Sequence, residues 1–108
     1  MTLNDYQNGA LVTAVYPKEQ HIIYPTIGLA GEAGEVADKV KKVMRDNGSN
    51  FDAESRRQIA LELGDVAWYV ATLAHDIGYT LEEVCQMNLT KLASRQQRNK
   101  LHGSGDER

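Results

Sequence analysis

Cysteine, proline and long apolar runs are all scarce in this sequence. Its single cysteine, Cys85, cannot form an internal disulfide, which favours a reducing compartment. No segment approaches the roughly 20 consecutive apolar residues that a membrane helix requires. The first residues also lack the basic and apolar regions of a secretory signal. We therefore expect a cytoplasmic protein with no membrane partner.

An excess of basic residues is also missing. The chain has 12 Lys and Arg against 15 Asp and Glu, for a formal net charge of −3. Nucleic-acid binding through phosphate neutralisation needs a net basic face, so we expect no nucleic-acid partner. A small local phosphate site is still compatible with this charge. From the length of 108 residues we expect one domain over residues 1–100 and a flexible tail over 101–108.

Helical periodicity covers most of the chain, and strand-like alternation is absent. Thr2 and Thr80 each have the sequence context of a capping box at a helix start. Helices joined by short loops are typical of an antiparallel bundle, so we predict an all-α, four-helix fold. The signals that separate the helices are Pro17, Pro25, the Asn47-Gly48 pair and Gly78. The predicted helices run over about residues 2–15, 26–46, 51 or 53 to 77, and 80–98.

The third predicted helix is apolar almost all the way round. Leu61 and Trp68 lie on one flank, and alanines lie on its back. A helix of a four-helix subunit normally keeps one polar face, so this pattern indicates that a second subunit covers it. We predict a homotetramer built as a dimer of dimers, with a dimer as the alternative. The alanines on the back are Ala60, Ala67, Ala71 and Ala74.

Two pairs of acidic residues are the strongest functional pattern. Glu32 and Glu35 have i, i+3 spacing on the second predicted helix, and Glu62 and Asp65 repeat it on the third. This spacing puts both carboxylates of a pair on one face, beside the apolar stripe. Converging carboxylates need a cation, and Mg²⁺ prefers oxygen ligands and bridges them to phosphates. One pair alone would be ordinary on a solvated surface, whereas two matched pairs predict a magnesium site.

Glycines and basic residues accompany these acids. A glycine inside a helix is unfavourable by about 1 kcal/mol relative to alanine, so it indicates close packing or space for a ligand. Asn88, Lys91 and Arg95 fall on or beside the inner stripe of the fourth predicted helix. Lys39 follows Glu35 by one turn. Such groups suit a polyphosphate, or they are ordinary ion-pair partners of the acids. The helical glycines are Gly28, Gly31, Gly34 and Gly64.

The segments around the acids resemble a known family. GLAGEAGEVADKVKK and ALELGDVAWYVATLA contain the ExxE and ExxD halves of the signature of the MazG-like nucleotide pyrophosphohydrolases, of the all-alpha NTP pyrophosphatase superfamily. YQNGALVTA and NLTKLASRQQR also resemble family members, so the resemblance covers nearly the whole chain. It implies an α-helical obligate oligomer that hydrolyses nucleoside triphosphates between the α- and β-phosphates, releasing monophosphate and pyrophosphate.

The resemblance also implies roles for individual residues. Glu32 or Glu35 would orient or deprotonate the attacking water. Similar small members remove noncanonical or surplus deoxynucleotides, often dUTP or dCTP. The implied ligands of Mg²⁺, for which Mn²⁺ can substitute, are Glu32, Glu35, Glu62 and Asp65. The predicted substrate contacts are Lys91 and Asn88 for phosphate or sugar, Tyr69 for the deoxyribose, Gln7 and Tyr16 for the base, and Lys39 and Arg95 as further basic groups.

Three alternative functions share parts of this sequence pattern. Phosphoribosyl-ATP pyrophosphohydrolase has a similar acid pattern, although the YQ and NLTKL segments favour the MazG-like branch. A di-iron carboxylate bundle needs Glu-x-x-His, which this sequence lacks. A non-catalytic helical adaptor that has kept the fold is disfavoured because all four acids are present.

Overall fold

The computed structural model describes all 108 residues and contains four α-helices and one short 3-10 helix, with no β-strand. The predicted all-α, four-helix fold is therefore confirmed. None of the four helices combines the length and hydropathy of a membrane-spanning segment. The elements are α1 (Leu3–Val12), the 3-10 helix (Lys18–Gln20), α2 (Ile23–Asp46), α3 (Ala53–Asp76) and α4 (Leu81–Gln97).

Side-chain caps begin three of the helices. Thr2 and Thr80 form the predicted capping boxes of α1 and α4, each exchanging hydrogen bonds with the acidic residue three positions later. Asp52 caps α3 by accepting the backbone N–H of Ser55 at 2.8 Å. These caps satisfy amide groups that have no acceptor inside the helix, which is why the sequence signals locate these helix starts well.

Two helix boundaries, the end of α1 and the start of α2, differ from the prediction. α1 stops at Val12, short of its predicted end, where the Thr13 hydroxyl donates to the carbonyl of Ala10 at 3.0 Å and closes the last turn. α2 begins at Ile23 and includes Pro25, which the sequence pattern assigns to the preceding loop. Proline is tolerated in the first turn because the amide groups there have no acceptor within the helix.

The helices pack around α3. α2 and α3, joined by residues 47–52, form the largest contact between two helices. The short connection makes them antiparallel neighbours and brings their acidic residues to one side. α1 and α4 pack mainly on α3 and on each other, and the buried core lies where these three meet, at Ala10, Ala71 and Leu81.

Gln7 connects the three helices at this core. Its side-chain amide donates to the carbonyls of Ala71 at 3.1 Å and Tyr79 at 3.2 Å, and its oxygen accepts the N–H of Leu81 at 3.0 Å. The residue is buried, so these bonds satisfy polar atoms that would be costly to leave unpaired. The Gln7 amide is thus fully engaged in the framework, and its predicted role at the base stays a prediction.

Much apolar surface stays exposed on the single subunit. Only nine of 108 residues are buried, whereas Leu61, Leu63 and Leu89 are 53%, 53% and 61% exposed. Two of the alanines on the back of α3, Ala71 and Ala74, are buried within the subunit itself. The apolar surface without cover therefore includes the first half of α3 and α4, but it also extends over α1, the following loop and α2, where Val12, Val15 and Ile27 are 79%, 87% and 67% exposed.

Candidate active site

Three carboxylates from two helices converge beside the α2–α3 contact. Glu32 of α2 and Glu62 and Asp65 of α3 each place an oxygen within 4.8 Å of the others. Glu62 and Asp65 share a face of α3 because three residues make nearly one helical turn. The antiparallel neighbour α2 brings Glu32 against that face. We call these three residues the acid group.

The electrostatics of the acid group disfavour full ionisation without a cation. Partial loss of hydration raises the pKa of Glu32, and the negative charges of Asp65 and Glu62 raise this pKa further. One basic group opposes them, since the Nζ of Lys39 lies 4.0 Å from an Oε of Glu62. All donors in the group are carboxylate oxygens, which is the donor set of Mg²⁺, Mn²⁺ or Ca²⁺. The residues present therefore fit a hard divalent cation.

Glu35 lies outside the acid group. Its side chain is exposed, and it acts on Glu32 only as a further negative charge that raises the Glu32 pKa. It follows Glu32 by nearly one turn along α2, so its carboxylate sits farther along the helix axis. Its predicted roles as a metal ligand and as a candidate base stay predictions.

An aromatic wall adjoins the acid group. Glu32 and Asp65 line a cavity of about 360 Å³ together with Thr13, Trp68 and Tyr69. The indole Nε1 of Trp68 donates to the Thr13 hydroxyl at 2.9 Å, and the Trp68 and Tyr69 rings meet edge to face at 4.9 Å. Trp68 thus makes contacts within the subunit and stays partly exposed, and its place in a subunit interface stays a prediction.

Tyr69 lies directly on the backbone of α2 at Gly28. A Cβ added at Gly28 would lie 2.7 Å from Cδ1 of Tyr69, and closer still to the next two ring atoms. This is the close approach that the helical glycines indicate. Gly31, Gly34 and Gly64 have no such neighbour within 4 Å. Loss of hydration raises the pKa of the Tyr69 phenol. The interaction with Tyr24 and the negative charges of Glu32 and Asp65 raise this pKa further.

Tyr16 connects to this wall through Tyr24, for which the sequence pattern predicts no role. The Tyr16 and Tyr24 rings stack at 4.8 Å with 22° between their planes, and the Tyr24 and Tyr69 ring centroids are 6.3 Å apart. The Tyr16 hydroxyl donates to Asp76 at 2.9 Å. Burial, followed by this hydrogen bond, raises the pKa of Tyr16 to about 12. Tyr24 precedes Pro25, so the sequence gives no signal that Tyr24 belongs to helix α2.

The basic residues of α4 lie apart from the acid group. Lys91 forms an ion pair with Asp106 of the tail at 3.1 Å, and Arg95 lies 3.5 Å from the same carboxylate. Arg95 is buried, and its Nε has no hydrogen-bond partner. Asn88 and Lys91 line a groove of about 570 Å³ with apolar side chains of α4 and the α3–α4 loop, and no member of the acid group lines it.

This position of α4 corrects the inward orientation predicted for Asn88 and Lys91. Asn88 is exposed and Lys91 pairs with Asp106, so neither side chain forms an ion pair or hydrogen bond with the acids of its own subunit. Within one subunit, Lys39 is the predicted basic residue that the structure brings to the acid group.

Comparison with known proteins gives one family and one close relative. A model of the MazG nucleotide pyrophosphohydrolase domain matches residues 25–99, which include all four predicted acids, Tyr69 and Lys91. The chain is 46% identical over 114 residues to the gene 37 protein of Mycobacterium phage L5, with both chains covered completely. No solved structure matches the chain.

Proposed function

Since the chain belongs to the MazG nucleotide pyrophosphohydrolase family, we propose that it hydrolyses nucleoside triphosphates between the α- and β-phosphates. One water is consumed, and a nucleoside monophosphate and pyrophosphate are released. The observation that carries the proposal is the convergence of Glu32, Glu62 and Asp65 within 4.8 Å beside an aromatic cavity. Carboxylates that share a cation with phosphate oxygens, next to a wall suited to a nucleoside, are what this reaction requires.

The proposed cofactor is Mg²⁺, with Mn²⁺ able to substitute. Glu32, Glu62 and Asp65 would hold it, and Glu35 is proposed as a further ligand one turn away on α2. When bound, the ion supplies neutralisation of the triphosphate and a water of lowered pKa. Lys39 would add a positive charge on the same side, because it already lies near Glu62.

Glu32 or Glu35 is proposed to accept the proton of the attacking water. Glu32 belongs to the acid group, and Glu35 has the exposed carboxylate that a water can reach. Each would hold that water for in-line attack on the α-phosphorus. Comparison of Glu32→Gln with Glu35→Gln separates the two, because glutamine keeps the shape of the side chain and loses its basicity.

The nucleoside is proposed to occupy the cavity beside the acid group. Trp68 and Tyr69 offer aromatic surface there, and Tyr69 is proposed to pack on the deoxyribose. The proposed substrates are surplus or noncanonical deoxynucleotides of the dUTP or dCTP class. Clearance of such nucleotides would be the biological role.

A pyrophosphate-release assay over natural and damaged nucleotides, with phosphoribosyl-ATP included, tests the function. Glu32→Gln and Glu62→Gln should each lose at least 10²–10³-fold in turnover, as removal of a preorganised charged group typically does. Glu54→Gln is the matched control, because Glu54 is exposed and contacts only Gln58 on its own helix. Absence of pyrophosphate release by the wild type with both Mg²⁺ and Mn²⁺ would refute the proposal.

We also propose that the protein assembles as a homotetramer, a dimer of dimers, and that assembly completes the site. The uncovered leucines of α3 and α4 support this, as does the fact that Asn88 and Lys91 line a groove that contains no member of the acid group. In such an assembly these two residues would reach the triphosphate of a neighbouring subunit. Mixing Glu62→Gln and Lys91→Ala subunits would then restore activity in part, whereas sites contained in one subunit would give no recovery.

A further inference from the structure

The turn that leads into α2 has an unusual backbone. Ile22 has φ 70° and ψ −55°, and the N–H of Ile23 donates to the carbonyl of His21 at 2.8 Å. These values describe the rarer, strained kind of γ-turn, with positive φ at its central residue. A β-branched side chain is particularly unfavourable there. The Ile22 side chain is also about half exposed, so its own burial does not compensate for the strain.

Asp76, the last residue of α3, holds this turn in place. Its side chain is 2% exposed. One carboxylate oxygen accepts the backbone N–H of Ile22 at 2.9 Å and the hydroxyl of Tyr16 at 2.9 Å. The other lies 3.5 Å from Nδ1 of His21. A single buried carboxylate therefore fastens the connection between α1 and α2 to the end of α3 at three points.

Tyr16 and the turn at Ile22, which Asp76 holds, connect to the aromatic wall of Trp68 and Tyr69 through Tyr24. Tyr16, bound to Asp76, stacks on Tyr24. Tyr24 lies in the first turn of α2, two residues after Ile22, so the strained turn sets its position. The Tyr24 ring, 43% exposed, leans towards Tyr69, which lines the cavity beside the acid group. An exposed ring held on one side by a second ring is a suitable platform for a nucleobase.

We infer that Asp76 is a positioning residue for nucleobase recognition, which holds the Tyr24 ring beside the cavity through Tyr16 and the strained turn at Ile22. This inference rests on the proposed function, because it assigns the base end of the same substrate. The side chain of Asp76 contacts Tyr16, His21 and Ile22 and has no hydrogen bond or ion pair with the acid group. Its loss should therefore weaken nucleotide binding and leave the chemical step of bound substrate nearly unchanged.

The central variant is Asp76→Asn, which keeps the size of the side chain and removes its charge. We expect KM to rise about tenfold, with kcat and the Mg²⁺ concentration for half-maximal activity within twofold of wild type. Tyr16→Phe keeps the stacked ring and removes one of the bonds to Asp76, so it should raise KM by a smaller factor. Asp46→Asn is the control, because Asp46 is an exposed residue that pairs with Arg45 on the surface.

A rescue tests whether Asp76 acts through the turn at Ile22. Glycine adopts positive φ without steric cost, so Ile22→Gly should relax the turn that Asp76 restrains. The KM of the double variant Ile22→Gly, Asp76→Asn should therefore be at least threefold lower than the KM of Asp76→Asn. If Asp76→Asn fails to fold by circular dichroism, Tyr16→Phe alone decides. A fall in kcat with KM unchanged, or no change in either, would overturn the inference.

Calorimetric titration with the α,β-methylene analogue of dUTP or dCTP distinguishes failure of the inference about Asp76 from failure of the proposed function. A wild type that binds the analogue but hydrolyses no nucleotide refutes the function, and the affinities of the variants still test the role of Asp76. Equal affinity of Asp76→Asn and wild type for the analogue refutes the positioning role even if hydrolysis is confirmed. A wild type that binds no nucleotide refutes both.

Discussion

Replacing Gly28 by alanine sets two effects of opposite sign against each other. Alanine in a helix interior is favoured over glycine by about 1 kcal/mol. At Gly28, however, the added Cβ would lie 2.7 Å from Cδ1 of Tyr69 and closer to two other ring atoms. The Tyr69 ring cannot turn aside freely, because it packs against Trp68 and Tyr24. Overpacking of this kind costs about 1–3 kcal/mol. The clash should therefore outweigh the gain in helix propensity.

Gly31 and Gly34 provide matched controls on the same helix. A Cβ at either position meets nothing within 4 Å. Alanine there should show the propensity effect alone and stabilise the subunit by about 0.5–1 kcal/mol. We expect Gly28→Ala to be destabilised by about 1 kcal/mol net, from about 2 kcal/mol of overpacking and about 1 kcal/mol of propensity. The variants should then differ by roughly 1.5–2 kcal/mol.

The assay is urea unfolding followed by circular dichroism, at one protein concentration because assembly would couple to stability. The KM of Gly28→Ala should also rise, since displaced Tyr69 lines the cavity proposed for the nucleoside. In the background Tyr69→Leu the clash is relieved, so Gly28→Ala should become neutral or stabilising. If Gly28→Ala stabilises the wild type as much as Gly31→Ala does, the close approach of Tyr69 to α2 does not exist in solution.

Three further predictions concern the metal, the phosphate and the assembly. Mg²⁺ at 100 times its Kd should stabilise the wild type by about 2.7 kcal/mol in thermal melts at fixed ionic strength. Glu62→Gln should reduce this response. Equal Tm values of the wild type in chelator and in Mg²⁺ would contradict a preformed metal site. Lys91→Ala should raise KM about tenfold or more through loss of a charge-assisted contact of about 1.5–3 kcal/mol, whereas unchanged KM would limit Lys91 to its pair with Asp106. Leu61→Glu should dissociate the assembly, and a monomeric wild type in light scattering would remove the oligomer from the proposal.

The features that depend on local sequence were predicted well. Thr2 and Thr80 locate helix starts because a cap acts within one turn of the chain. The acid pairs were found because i, i+3 spacing dictates a shared face, whatever the helix packs against. Pro25 misled the prediction of α2, since the same proline is compatible with a loop and with a first helical turn.

The parts of the site that depend on packing could not be predicted in this way. The start of α4 is held by the burial of Leu81 against α1 and α3, and only the structure shows that Lys91 pairs with Asp106 and not with the acid group. Gln7 is chemically suited to a base pocket, and only the tertiary structure shows that its amide joins three helices. Tyr24 owes its place to the turn at Ile22, for which the sequence carries no signal.

The position of Trp68 gives the protein an optical probe at its candidate site. It is the single tryptophan of the chain, so its emission can be assigned without labels. Its indole donates to Thr13 and shares a cavity with Glu32 and Asp65. A cation bound by those carboxylates changes the charge around the ring, and a nucleoside in the cavity changes its exposure to water. The two ligands should therefore alter the intensity and the wavelength of tryptophan emission differently, and one fluorescence titration would follow both in the unmodified protein.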